Sequence, residues 1–392
     1  METKRIYVDH SATTPMKREV LDSMIPYFTE TFGNASSVYA EGREAKKAVD
    51  LAREKVAKAI GAENGEIFFT GSGTEADNWA IRGAAYANKA KGNHIITSAV
   101  EHHAVLHTCM ELEKDGFEVT YLPVDEYGMV SPDAVRNAIT DKTILITIMT
   151  ANNEIGTIMP IEEIGSIAKE KGILFHTDAV QAIGMMEIDV NKMNIDLLSL
   201  TGHKFYGPKG SGALFVRKGT RINRFITGGA QERNKRAGTE NVAAIVGLGT
   251  AIELATKDIS GHTEKLAAMR DRFISRVLSE IPYTRLNGHP EKRMASNANI
   301  SFEFIEGESL LLMLDMQGIS ASSGSACTSG SLDPSHVLLA IGLKHEIAHG
   351  SLRVTFGESN TMEDADRIAD ALVGIVARLR EISPLYEQVK NK

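Results

Sequence analysis

The sequence predicts an α/β fold. A large domain would hold a mostly parallel mixed sheet covered by helices, and a smaller α+β domain would complete the chain. Three observations carry this. From Ile67 onward, short apolar runs alternate with helical patterns, as in sheets buried on both faces. Polar and glycine-rich residues gather just after those runs, where open α/β sheets bind ligands. After about Thr256 the alternation gives way to two long amphipathic patterns flanking a few strands. Of the 392 residues, 43% are hydrophobic and 24% charged, enough for one large domain and a smaller one.

Taken in order, Ile6 to Asp9 reads as a short strand and Ser11 to Pro15 as a turn. Pro15 suits the first turn of a helix ending near Phe28. A loop at Asn34 to Ser37 precedes a long polar helix from Glu41 to Ile60. The strand candidates are Ile67–Phe69, His94–Thr97, Val119–Leu122, Ile144–Met149, Ile173–Phe175, Leu197–Leu200 and Ala213–Val216, with helical patterns between the first five. The two late helices span roughly His262 to Glu280 and Met362 to Ile382.

Composition narrows the function. A net charge of −8 argues against general nucleic-acid binding. No apolar run approaches the ~20 residues that cross a bilayer. Cys109 and Cys327 are too few for a disulfide framework and fit a reducing cytoplasm. The charged start, Met1 to Asp9, is unlike a signal peptide.

Chemistry concentrates at the strand ends. Thr201-Gly202-His203-Lys204 follows one apolar run and precedes a glycine-rich turn, a position that delivers a side chain into a cleft. A lysine there can condense with a carbonyl, and pyridoxal phosphate (PLP) is the cofactor that chemistry suggests. Most lysines are solvated surface amines, so this residue needs company. Asp178, one crossover earlier, ends another strand. A buried carboxylate needs a partner, and the pyridine nitrogen of PLP would be one. Gly71 to Ala76 matches the G-x-G-x-x-A dinucleotide spacing between a strand and a helix, so a NAD oxidoreductase is the rival. Either reading puts a phosphate on that helix N-terminus.

Other strand ends add candidates, each with a bland alternative. His102 and His103 would ordinarily be structural, yet an imidazole there could stack on a flat cofactor. His103 and His107 are spaced i, i+4, but no third metal ligand presents itself nearby. Asn152 and Asn153 are turn formers or polar contacts. The basic stretch Gly228 to Thr239 is a solvated run or an arm reaching a phosphate, even in a neighbouring subunit. Arg353 interrupts an apolar strand; it is paired internally or grips a substrate carboxylate. Cys109 fits a buried helix. Cys327 lies in a run of small residues that reads as a flexible loop. At an ordinary pKa only about 3% of it is thiolate near neutral pH, so as a nucleophile it needs a nearby cation or base.

Together these stretches resemble the NifS/IscS-type cysteine desulfurases, in the class V branch of PLP-dependent aminotransferases. The carriers are Tyr7 to Asp9 with Ala12 to Pro15, Gly71 to Glu75, Glu101 to Val105, Asn152 to Gly156, His176 to Gln181, Gly202 to Lys204, Arg236 to Asn241 and Ser322 to Cys327, in order along nearly the whole chain. The resemblance implies fold type I of the PLP-dependent transferases. It implies a large PLP-binding domain over 14–256, with 1–13 and 257–392 forming the small domain and its mobile cysteine loop at 320–334. Lys204 would carry the cofactor and Asp178 would bond the ring nitrogen. Gln181 would bond the ring hydroxyl and His102 would stack on the ring. Gly73, Thr74, Thr201, His203 and, from the second subunit of a homodimer, Thr239 would hold the phosphate. Asn153 would contact cofactor and substrate, and Arg353 the substrate carboxylate. Lys204 or His102 would move a proton, and Cys327 would take sulfur from L-cysteine, leaving alanine. The persulfide would pass to an iron–sulfur scaffold protein of the IscU/NifU type. No intrinsic metal is implied, although Cys327 could transiently ligate a cluster held with that partner. Ala35, Tyr39 and His10 depart from the family's usual residues. A selenocysteine lyase or another PLP lyase fits Lys204 and Asp178 as well.

Overall fold

The computed structural model describes residues 5–323 and 334–390, so Cys327 lies outside the described residues. The chain opens with β1 (Ile6–Tyr7) and the short helices α1 (Arg18–Met24) and α2 (Pro26–Thr29). Pro15 does not start a helix, because α1 begins three residues later. Pro26 lacks the N–H that would continue α1, so the chain restarts at it as α2. Next comes α3 (Ala40–Ala59), whose Ala45, Ala48, Val49, Ala52 and Val56 form one buried stripe at helical spacing.

The central unit follows in alternation: β2 (Ile67–Thr70), α4 (Gly73–Asn88), β3 (His94–Ser98), α5 (His103–Lys114), β4 (Glu118–Leu122), α6 (Pro132–Ala138), β5 (Thr143–Thr147), α7 (Ile161–Lys171) and β6 (Leu174–Asp178). Then β7 (Leu197–Thr201) follows β6 with no helix between them, and β8 (Gly212–Val216) follows after a single short helical turn at Gly202–Lys204. The seven strands lie in the order β2-β8-β7-β6-β5-β3-β4. Every pairing is parallel except those of β8, which runs against both neighbours. Two reversals restore direction, so β2 points the same way as β7. The carboxyl ends of β2, β3, β5, β6 and β7 therefore share one edge of the sheet.

Side chains alternate between two cores, as the pleat demands. Phe68, Ile95, Leu145, Leu197 and Leu214 pack with Trp79 of α4 and Cys109 of α5. Their neighbours Phe69, Ile96, Ile146, Leu198 and Phe215 face the other way, among residues of α3, α7 and α8 (Val242–Ala255). A further core lies around β9 (Thr284–Asn287), β10 (Asn297–Phe302) and β12 (Ser351–Thr355), an antiparallel sheet covered by helices from Ile259–Glu280, Gly307–Met316 and Met362–Glu381. Ile6 and Val8 belong to that core, and β1 pairs with β11 (Ile319–Ser320).

The loop after β8 is tied back by a buried ion pair. Arg53 of α3 meets Glu232 with two hydrogen bonds of 2.8 Å, and Glu232 also accepts from the Phe69 N–H. Glu232, Arg233 and Asn234 all have positive φ, at 45, 56 and 63°. Non-glycine residues adopt that conformation at a cost, so the ion pair holds a strained turn. Removing one partner of such a pair leaves a buried charge and costs about 3–5 kcal/mol. Glu232→Ala should lower the unfolding free energy by that order in denaturant titration.

Candidate active site

At the shared edge the strand ends surround a cavity of about 370 Å³. From β2 come Gly73 and Thr74; from β3, His102; from β5, Asn153; from β6, Asp178 and Gln181; from β7, Thr201, His203 and Lys204; and from β12, Arg353. Ten of the twelve residues singled out in the sequence therefore line one space. The remaining two are Thr239, which is exposed outside this cavity, and Cys327, which is not among the described residues.

Topology disposes of the dinucleotide alternative. The glycine-rich turn of that fold joins two neighbouring parallel strands. Here β2 is an edge strand whose only sheet partner among the described residues is antiparallel β8, and β3 lies beyond β8, β7, β6 and β5. The glycine is needed for a different reason. A Cβ on Gly73 would stand 2.8 Å from Val180 Cγ2 and 3.6 Å from Thr201, so only glycine lets the start of α4 approach the ends of β6 and β7. Ser72 caps the Glu75 N–H, while Gly73 and Thr74, as the first helical residues, have no helical acceptor. That helix start is a ready anion site.

Lys204 sits on a single helical turn after β7, half-buried rather than enclosed. Its Nζ donates to the carbonyls of Ser11 and, at 2.9 Å, Ala12. The N-terminal segment thus orients the amine, a role its sequence gave no sign of. Gln181 also donates to the Ser11 carbonyl. Asp178 ends β6 and accepts the Val180 N–H at 2.9 Å. Burial pushes its pKa up to about 6, against the Val180 hydrogen bond and the Lys204 charge. His102 caps α5 through Nδ1, and burial followed by the Lys204 charge lowers it to about 4. His203 meets Thr13 Oγ1 at 3.2 Å and is likewise held near about 4. Both imidazoles are neutral at physiological pH. The Thr201 hydroxyl donates to the Ser211 carbonyl.

The two readings of the asparagine pair are each realised once. Asn152 shapes the turn, accepting the Glu154 and Ile155 N–H groups, while Asn153 faces the cavity. Arg353 is both paired and presented. It donates to Asp9 at 2.8 Å and to the Asn153 carbonyl at 3.0 Å, while its buried Nε has no partner among the described residues. In the basic loop, Arg236 meets Glu75, which also accepts the Gly71 N–H, so the loop is fastened to the glycine-rich turn.

Some features were not legible in the sequence. His336 brings a third imidazole to the His103–His107 pair, with ring centroids 4.8 Å apart; among the described residues no group of three ligands could hold a metal. Asp77 lines the cavity from α4. His10 packs edge-on against Tyr7 at 5.0 Å, away from the cavity. Cys109 is buried, and its thiol pKa is pushed up accordingly.

A half-buried amine, a carboxylate and a helix N-terminus around one cavity define the scaffold of the PLP-dependent transferases of fold type I. Glycine at 73 keeps the anion end open, and the orphaned Arg353 Nε asks for an acceptor, so the residues fit such a cofactor and an amino-acid substrate. Residues 6–368 match the aminotransferase class-V family. The chain belongs to that family, in its NifS/IscS branch. It is 63% identical over 384 residues to the cysteine desulfurase IscS of Methanosarcina thermophila, covering 98% of this chain and 95% of that one. Among solved structures, a NifS-like protein superposes with a TM-score of 0.90 at 37% identity, over 96% of this chain and all of the other. SspA in complex with cysteine superposes at 0.80 and 39% identity, over 90% and 98%.

Glu101, buried at the end of β3, accepts from Ser98 and Met149, and its Oε2 has no partner. Burial raises its pKa to about 8. The folded state therefore holds a proton that the unfolded state loses above an ordinary glutamate value, and stability falls as pH rises from there to about 8. Glu101→Gln should raise the melting temperature at the alkaline end of this window and leave it nearly unchanged at the acid end, as thermal denaturation would read.

Proposed function

We propose that this chain is a PLP-dependent cysteine desulfurase, which takes sulfur from L-cysteine, releases L-alanine and leaves a persulfide on Cys327. The observation that carries it is the meeting of Lys204, Asp178 and the start of α4 around one cavity. The names of the relatives, and cysteine in the SspA structure, support the substrate.

When bound, PLP supplies an electron sink that acidifies the α-carbon of an amino acid. The residues divide the remaining work. Lys204 tethers the cofactor through Nζ and carries the α-proton. His102, a neutral imidazole, would stack on the ring and be the weaker base. Asp178 would hold the ring nitrogen and Gln181 the ring hydroxyl. The N–H groups of Gly73 and Thr74, with Thr201 and His203, would receive the phosphate. Thr239 of the partner subunit joins them. Asn153 and Arg353 orient the substrate carboxylate, with Asp9 keeping the guanidinium in place. The Cys327 thiolate attacks the substrate sulfur: an S–S bond forms, the C–S bond breaks with its electron pair going to carbon, and a proton completes alanine.

A homodimer is part of the proposal. Phe28, Phe32, Val38 and Tyr39 expose large apolar side chains along one segment, 61%, 71%, 86% and 56% accessible, which a second copy would cover. The acceptor proposed is an iron–sulfur scaffold protein of the IscU/NifU type, in the cytoplasm. No helix among the described residues is long and apolar enough to cross a membrane. The separate cores favour a large unit over 14–256 and a smaller one from the N-terminal segment with most of 257–392, while Val337, Leu338, Ile341, Leu343 and Ala348 pack into the core of the larger unit.

After incubation with L-cysteine, peptide mass spectrometry should find one extra sulfur on Cys327, and borohydride should fix the cofactor to Lys204. Cys327→Ser should keep the cofactor and lose sulfur release. Full-rate release by that variant, or borohydride labelling of another lysine, would overturn the assignment.

A further inference from the structure

Asp77 is a carboxyl where the fold calls for a small apolar residue. It lies on the face of α4 that Gly73, Ala76, Ala80 and Ala84 pack against the sheet, and it is 1% exposed. Its Oδ1 lies 3.7 Å from His176 Nε2 but has no hydrogen-bond partner among the described residues. The strand face beneath it is polar in register. His176 pairs with Thr147 on β5, and Asp178 with Ser199 on β7. The His176 ring joins Thr147 Oγ1 at 2.8 Å to Ser199 Oγ at 3.1 Å. Asp77 and Asp178 line the same cavity.

Two buried carboxyls that feel each other's charge resist being ionised together unless a cation faces them. Around Asp77, β6 presents His176 and Asp178, the turn after β3 presents Glu101, and α5 presents Cys109; His102 and Lys204 stand across the cavity. The strands β2, β5, β7 and β8 contain no ionisable side chain. His176 is held neutral by burial, so it brings no charge to balance Asp77. Burial, and then the Asp178 charge, push the Asp77 carboxyl well above its usual range, against a hydrogen bond with Ser199 that favours the charged form. A proton on Asp77 removes the cost of a buried charge that no cation balances.

We infer that Asp77 and Asp178 share one proton, and that this pair, rather than Asp178 alone, receives the ring nitrogen of the cofactor and supplies the proton it holds. The inference rests on the proposed cofactor. In the transfer, an O–H bond of the pair breaks and an N–H bond forms. The pair goes from one proton and one negative charge to two negative charges, facing one new positive charge. Asp77 is a positioning residue that acts through Asp178.

The test uses the full-length protein freed of cofactor, with pyridoxine 5′-phosphate as the probe. The probe has the ring nitrogen and phosphate but no aldehyde, so Lys204 cannot capture it. Equilibrium dialysis would follow its dissociation constant between about pH 6 and 9. Near pH 6 the Asp77→Asn variant should match the wild type, because asparagine imitates the protonated acid. Toward pH 9 it should bind about tenfold more weakly, one unit of lost proton affinity, because the proton must now come from solvent. Asp77→Glu should recover part of the difference. Parallel pH profiles would overturn the inference, even with a lowered melting temperature, since that marks a packing role alone. Failure of the wild type to bind at any pH would instead overturn the cofactor site, and this inference with it. Should Asp77→Asn not fold, infrared difference spectra of the wild type with carbon-13 aspartate decide. A labelled carboxylic-acid band must be present before the probe is added and vanish on binding; no such band, or no change in it, overturns the inference.

Discussion

The site depends on strand direction. Parallel strands put their carboxyl ends on one edge, and a loop leaving that edge can present a side chain to a common space. The glycine-rich turn would not join that edge if β2 paired directly, antiparallel, with β7. Insertion of β8, antiparallel to both, turns β2 back into line. The anion-binding start of α4 then meets the lysine after β7 and the aspartate that ends β6. One reversed strand between two others sets the geometry on which the proposed chemistry rests.

The cavity is electrically unusual for its size. Asp77 and Asp178 line it from buried positions, Glu101 is buried within reach of their charge, and two of the lining imidazoles are kept neutral. Buried carboxyls tend to hold protons, and each held proton softens the repulsion among them. An incoming cationic ring would find negative charge available without a large field opposing the folded state. Arg353 offsets charge at the other end, where Asp9 holds it.

Much of this was legible in the sequence because it is local. Apolar run length located all seven strands of the main sheet, and residues just past the runs supplied most of the cavity lining. What escaped came from contacts remote in sequence. Nothing near Pro15 shows that a later proline divides the helix. Nothing near His103 announces His336. The carbonyls of Ser11 and Ala12 carry no side-chain signature, so their hold on Lys204 was invisible. Asp77 could have been suspected: it falls four residues after Gly73, on the inward face of its helix, where alanine recurs. The G-x-G-x-x-A spacing misdirected, because two folds place glycine before a helix for the same reason of close approach, and only strand order tells them apart.

The bond between Arg353 and Asp9 spans 344 positions. A ribosome adding roughly 5–20 residues per second makes the second partner about 20–70 seconds after the first. The last strand of the main sheet ends at Val216, so the sheet can be translated in full while the pocket still lacks its guanidinium. In the proposed enzyme the grip on the substrate is therefore completed late in biogenesis, and a nascent fragment stalled before Arg353 would leave the tunnel with the lysine made and the carboxylate clamp missing.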